Sequence, residues 1–281
     1  MNYRHFLVLK RGCQYALSTL TLALAQLSYA DNDLLNMPLE ELLQVKVSIA
    51  SGRPQLLHQA PAVASVITAH DLENTGALSL EDALETIPAL HVSHGSFTYA
   101  PRYFIRGIVS VYNPQTLVLI NGIPQTSLFV GDRGERLNSL NGVPLTMIDR
   151  IEVIRGPSSA LYGADAFAGV INIITRSPDS VQGGDALVGY GSFNTHQASV
   201  WQSAQHNNIK ALFSLFNSQS DGDDLILRSD YQSNIDEKIG THSSLAPNNL
   251  NLQSQLTDIR GDIMWQDWQV RMAWRRGLAG T

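Results

Sequence analysis

Between Ile148 and Arg176 the chain reads IDRIEVIRGPSSALYGADAFAGVINIITR, two apolar runs separated by a stretch through which neither could continue. In the first, Ile151, Val153 and Ile154 surround a single acid, Glu152, and β-branched residues at that density favour an extended backbone. Gly156 and Pro157 stop it, because proline donates no ladder hydrogen bond and glycine tolerates backbone angles that other residues avoid. Small residues punctuated by Gly163 and Gly169 lead to the second run, Val170-Ile171-Asn172-Ile173-Ile174, which is almost wholly apolar. A strand, a tight corner, a small-residue turn region and a second strand are the parts of a compact domain built on a sheet.

The preceding hundred residues supply the rest of that domain. Ala64–Ile67 reads as a strand, and Thr68 with Asp71 three positions on has the spacing of a helix-capping box. The short helix stops at Gly76, and Ser79 with Asp82 repeats the cap. Leu80, Ala83, Leu84 and Ile87 then fall at helical spacing and give one buried face, ended by Pro88. Leu117–Ile120 is an apolar run expected to be buried on both faces. Asn121-Gly122 after it supplies the positive φ angles of a two-residue hairpin turn.

The N-terminus carries Arg4, Lys10 and Arg11, an apolar stretch from Tyr15 to Leu27, and the small-residue ending Ser28-Tyr29-Ala30. This is the pattern of a cleaved secretory signal over 1–30, leaving Asp31 as the first mature residue. Its loss removes three positive charges and takes the net charge from −6 to −9, a balance that argues against nucleic acid as a partner. The only cysteine, Cys13, leaves with the signal, so no disulfide or thiolate metal site is expected. No later segment is apolar enough for a helical span, so entry into a membrane would require a β-barrel.

From Gly183 onward the texture changes to long alternating strands, with candidates near 184–191, 195–205 and 208–219. Leu256, Asp258, Arg260 and Asp262 alternate with Thr257, Ile259, Gly261, Ile263 and Trp265. Trp268, Val270, Met272 and Trp274 alternate with Gln269, Arg271, Ala273 and Arg275. One apolar face with aromatics and one charged face suit a wall between lipid and a wet lumen. Ser220 to about Leu250 is rich in Asp, Asn and Ser and reads as a long surface loop.

The run IEVIRGPSSALYGADAFAGVINIITR resembles the end of the plug domain of TonB-dependent outer-membrane receptors, and Tyr103-Phe104-Ile105-Arg106-Gly107 resembles the plug's I-R-G element. The resemblance implies an α+β plug domain, a small mixed sheet of four strands with short helices, followed by the first antiparallel strands of an incomplete transmembrane β-barrel. It sets an N-terminal extension at 31–61, the plug at 62–177 and the start of the barrel at 183–281. Val45, Lys46, Val47, Ser48, Ile49, Ala50 and Ser51 resemble the TonB box, a string that pairs with the edge of another protein's sheet. In the family, arginines at the positions of Arg106 and Arg155 pair with glutamates on the inner barrel wall. Ligand contact in the family comes from apical plug loops, which here offer Tyr99, Arg102, Tyr103, Phe129, Arg133 and Arg136, groups suited to an anionic chelate.

The partners so implied are the TonB energy-transducing protein, the outer membrane and an iron chelate or similar small ligand. The location implied is the cell outer membrane. Energised uptake of a ferric siderophore, haem or cobalamin is the expected function. Residues 184–281 have room for only five or so strands at about 10 residues each plus turns, against the 22 of an outer-membrane transporter. The chain therefore reads as the front portion of a receptor, with a truncated, non-transporting remnant acting at most as a periplasmic binding module as the alternative. No nucleophile elbow, Walker loop or dinucleotide fingerprint occurs, and His91 and His94 read as loop residues, so neither enzyme activity, cofactor nor metal is expected.

Overall fold

Thr68 and Ser79 each open a helix with both halves of a capping box in place. The computed structural model describes residues 46–47, 55–56, 63–94, 101–110, 112–125 and 142–279. Asp71 N donates to Thr68 Oγ1 at 3.2 Å while Thr68 N donates to the Asp71 carboxylate at 2.8 Å, starting α1 (Ala69–Thr75). Ser79 and Asp82 repeat the exchange at 3.1 and 3.0 Å to start α2 (Leu80–Glu85). Each such cap is worth about 1 kcal/mol, because orphan amides at the helix start gain acceptors. Gly76 closes α1 in the left-handed region, at φ 64°.

Five strands form the first large sheet. In spatial order they are β3 (Val63–Thr68), β8 (Ile148–Arg155), β9 (Gly169–Thr175), β6 (Thr116–Ile120) and the two-residue β7 (Ile123–Pro124). β6 and β9 run parallel and the other neighbours antiparallel. The resemblance implied four strands. The fifth arises because Asn121 and Gly122, at φ 51° and 78°, fold Ile123 back onto Ile120. α1 and α2 cover one face, where Leu72, Leu80, Leu84 and Ile87 share a core with Ile67, Val118, Ile151, Val153, Ile171 and Ile173. Leu117, Leu119, Ile154, Val170 and Ala166 make a second cluster on the other face. A sheet packed on both sides shows no polar alternation, which is why its strands read as unbroken apolar runs. β4 (Leu90–His94) and β5 (Pro101–Ile105) form a separate hairpin.

The second large sheet is antiparallel throughout, in the order β10 (Gly183–Gly191), β11 (Thr195–His206), β12 (Ile209–Ser220), β15 (Ser254–Trp265) and β16 (Trp268–Ala279). It is open, with β10 and β16 as its edges among the described residues. Residues 207–208 and 266–267 are tight turns, with Asn207 and Gln266 both at φ 51°. The segment expected as a plain loop has structure of its own: β13 (Ile226–Leu227) pairs with β14 (Asn248–Asn249) around a helix, Tyr231–Ile239. Asp230 caps that helix through Ser233, a signal of the same kind as Thr68 and Ser79.

Burial on this sheet is inverted relative to a water-soluble one. Ser199, Trp201, Ser203, Leu212, Ser214, Phe216, Leu256, Asp258 and Asp262 are buried on one face of the sheet. The other side exposes Val200, Phe213, Leu215, Ile263, Val270, Met272 and Trp274, the last two at 61% and 54%. A contiguous apolar exterior of that extent marks a surface meant for something other than water. Among the described residues no helix is long and apolar enough to cross a membrane.

Candidate functional site

The end of β9 is where the first domain meets the open second sheet, here called the wall. Thr175 closes the strand and Arg176 follows it, with Arg176 N donating to Met147 O at 2.8 Å. Arg176 Nε donates to Thr146 O at 3.0 Å, and Nη2 lies 3.7 Å from Glu73 of α1. The guanidinium carbon sits 4.8 Å from the centre of the Trp201 ring on β11. Arg176's side chain is 13% exposed, and Trp201 and Leu212 are 8% and 3% exposed within the same apolar core as α1 and α2. Burial pulls the Arg176 pKa below its ordinary value, and Glu73, Asp149 and Asp185 push it back up; an arginine stays charged through any such shift. Lys210 of β12 pairs with Asp179 in the link between domain and wall.

Opposite Arg176 the wall presents a charged strip. Asp258 stands across from Arg275, and Asp262 from Arg271, in the β15–β16 register. The carboxylate of Asp258 accepts from Arg260 Nε at 2.6 Å and from Arg275 Nε at 2.8 Å. Asp262 accepts from Arg271 Nε at 2.8 Å and from Gln269. A cleft of about 120 Å³ remains between Thr175 and Arg176 on one side and Leu212, Arg260, Asp262 and Arg271 of the second sheet on the other, room for a few waters at roughly 30 Å³ each.

The residues singled out from the sequence lie elsewhere. Lys46 and Val47 form β1, paired with Gln55 and Leu56 as β2; Val45, Ser48, Ile49, Ala50 and Ser51 lie outside the described residues. The corners Arg106-Gly107 and Arg155-Gly156 come together, since a Cβ at Gly156 would lie 3.4 Å from Arg106 Nη1. Arg155 Nη2 donates to Ser65 Oγ at 2.8 Å and Nη1 to Pro88 O, so this guanidinium ties β3 to the turn after α2. Arg106 is exposed at φ 53°. Among the described residues neither arginine has an ion-pair partner. Arg102 is half-buried, its Nε lacking a partner among the described residues, whereas Tyr103 is wholly buried in the core. Tyr99, Phe129, Arg133 and Arg136 lie outside the described residues. His91 pairs with Glu85 at 2.7 Å and packs on Phe104.

Sequence reasoning missed Arg176 and the wall's ion pairs. The pairs were within reach: treating Gln266-Asp267 as a two-residue turn fixes the register and sets Asp262 opposite Arg271 and Asp258 opposite Arg275.

Residues 57–170 match the family model described as the TonB-dependent Receptor Plug Domain. Over those residues the chain is similar to the plug of TonB-dependent receptors. Its relatives include the "Vitamin B12 transporter BtuB" of Vibrio vulnificus, 40% identical over 147 residues, or 52% of this chain and 23% of that protein. The "Iron-regulated outer membrane virulence protein" of Vibrio cholerae is 43% identical over 135 residues, 47% of this chain and 20% of that protein. The chain thus spans about a quarter of these relatives' length. Among solved structures, the pyoverdine outer membrane receptor FpvA of Pseudomonas aeruginosa superimposes with a TM-score of 0.58 at 16% identity, over 83% of this chain and 30% of that one. The ferric enterobactin receptor PfeA of the same species gives 0.55 at 22% identity, over 77% and 33%. The first sheet with its two helices corresponds to the matched plug region, and together with the open antiparallel sheet it shares the fold of the N-terminal part of these receptors.

Proposed function

We propose that this chain supplies the plug and first wall strands of an outer-membrane receptor that takes up a scarce ligand, a ferric siderophore, haem or a cobalamin, in an energised process. The reading is carried by the completion of the plug's core by the wall: Trp201 and Leu212 pack into the same cluster as Leu72 and Leu84. A plug whose helical face is finished by a wall strand belongs in a lumen. The relatives named for vitamin B12 transport and iron regulation favour those two ligand classes.

The wall also suggests which way the plug faces. The tight turns at 207–208 and 266–267 lie at one end of the sheet and the long connection 221–253 at the other. In outer-membrane barrels short turns face the periplasm and long loops the exterior. Leu212, Asp262 and Arg271 lie near the short-turn end, so Arg176 would sit low in the lumen. Residues 1–30 act as the signal, 31–61 as the extension, 62–177 as the plug and 183–281 as the wall. Arg102, whose Nε has no partner among the described residues, is the described residue most suited to an anionic chelate.

TonB is the expected energy-transducing partner at Val45–Ser51. Support comes from β1, which is extended and paired with β2 on one edge, its other edge having no strand partner among the described residues and so offering a place for strand addition. The test is binding of the chain, without residues 1–30, to a TonB C-terminal domain. Deleting Val45–Ser51 is expected to weaken binding by at least tenfold, and unchanged affinity would reject this assignment.

A further inference from the structure

The plug needs something to hold it against the wall, and the two arginines that the family resemblance points to do not touch the wall here. Arg155 is engaged with Ser65 and Pro88 inside the plug, and Arg106 is exposed beside Gly156. The side chain that does cross the seam is Arg176. It gathers the end of β9, the carbonyl of Thr146, Glu73 of α1 and the ring of Trp201.

We propose that Arg176 is the positioning residue that fastens the plug to the wall, and that it does so as a cation over the Trp201 ring rather than as one half of an ion pair. This rests on the reading of the plug as a body seated in the receptor lumen.

Three observations point the same way. Asp185, the wall acid across from Trp201, is exposed and is not an ion-pair partner of Arg176 among the described residues, while the buried wall carboxylates near the seam already have cations of their own: Asp258 is shared by Arg260 and Arg275, and Asp262 is held by Arg271 and Gln269. They are poor candidates to claim a further guanidinium. Glu73, at 3.7 Å, is 67% exposed and belongs to the plug itself, so it orients Arg176 without bridging to the wall. The Trp201 ring is buried on a wall strand and faces the guanidinium at 4.8 Å. Desolvation strengthens a cation over an indole ring, and tryptophan is the best aromatic partner. The attachment is thus placed at the C-terminal end of β9, at the opposite end of the β8–β9 ladder from Arg155.

The test uses the full chain refolded in detergent micelles. Exchange at the Arg176 amide, bonded to Met147 O, reports whether the end of β9 stays in place. With Trp265→Phe, Trp268→Phe and Trp274→Phe, Trp201 becomes the sole tryptophan, and acrylamide quenching reports its cover. Arg176→Met is expected to speed exchange about thirtyfold, the size of one desolvated cation–ring contact, and to raise Trp201 quenching. Arg176→Lys, which keeps the charge, should do so by no more than about threefold.

Combining Arg176→Met with Trp201→Leu, in the otherwise native chain, should speed exchange no further than either change alone. Trp201→Phe, a weaker ring, takes the place of Leu where Leu prevents folding. Additive effects, or an Arg176→Met chain whose Trp201 is as shielded as before, would overturn the proposal. TonB-domain binding is measured on the same preparations. Lost binding with a non-additive cycle strikes at the functional reading and leaves the fastening standing; an additive cycle with normal binding does the reverse.

Discussion

Glu152 and Glu81 are both buried acids of the plug, and their surroundings give them opposite consequences. Glu152 has a fully buried side chain and lies 2.9 Å from Arg150, which also pairs with Asp149. Arg150→Met would withdraw a cation from a carboxylate that cannot reach water. It should cost the plug about 3 kcal/mol, the low end for breaking a buried pair, measured by urea unfolding at pH 7. A loss below 1 kcal/mol would mean that the other partners of Glu152 suffice. Glu81 is buried with neither carboxylate oxygen in a well-formed hydrogen bond, and burial raises its pKa above 4.5. A raised acid pKa means the folded state keeps a proton that the unfolded chain releases, so stability falls as pH climbs from about 4.5 toward the folded value. Glu81→Gln should therefore stabilise the plug at pH 7 and leave it unchanged at pH 3.5; an equal effect at both pH values would show that Glu81 does not titrate this way.

At the scale of elements, what the chain announced depended on how local the signal was. The caps at Thr68 and Ser79 and the Asn121-Gly122 turn need only residues a few positions apart, and all three formed as read. Which arginine reaches the wall was not local. Arg155 and Arg176 both follow a β-branched run, but β8 and β9 are antiparallel, with Arg155 opposite Gly169 and Ile148 opposite Thr175. The two side chains therefore emerge at opposite ends of the sheet, and only the strand order reveals which end meets the wall. Tyr103 was equally illegible, since its burial depends on partners distant in sequence.

The connection 221–253 shows the same limit. Its Asp-rich composition suggested only a loop, whereas Asp236 organises it by accepting from Thr241 Oγ1, Ser243 N and Ser244 N. These bonds, led by Thr241, pull the Asp236 pKa down to about 2. A lowered acid pKa contributes stability that is full above 3.8 and is lost as pH falls toward 2. Trypsin has Arg228 and Lys238 as targets here, and Asp236→Asn should speed cleavage at both at neutral pH, because its amide nitrogen cannot accept. Hydrogen exchange across 231–244 should rise in the native chain only below about pH 4, and a rise that began near pH 6 would exclude Asp236 as the organiser.

For the molecule as a whole, the decisive asymmetry is between the tryptophans. Trp201 faces the plug, while Trp265, Trp268 and Trp274 are on the outer face of the wall. Trp265 and Trp268 flank the turn 266–267, the place of an interfacial aromatic girdle. Trp274 lies six residues further along β16, about 20 Å at the rise of an extended chain. With a strand tilt near 45° that becomes roughly 14 Å of depth, close to the middle of an apolar band about 25 Å tall. Inside lipid the edges of β10 and β16 need strand partners, so the measurement belongs in bilayers where the wall is joined to further strands. Lipids brominated deep in the acyl chain should quench Trp274 most, lipids brominated near the headgroup should quench Trp265 and Trp268 most, and neither should reach Trp201. Each residue is read in a variant that retains it alone. Quenching of Trp201 as strong as that of Trp274 would mean that lipid has access to both faces, and the plug could not then be seated against the wall.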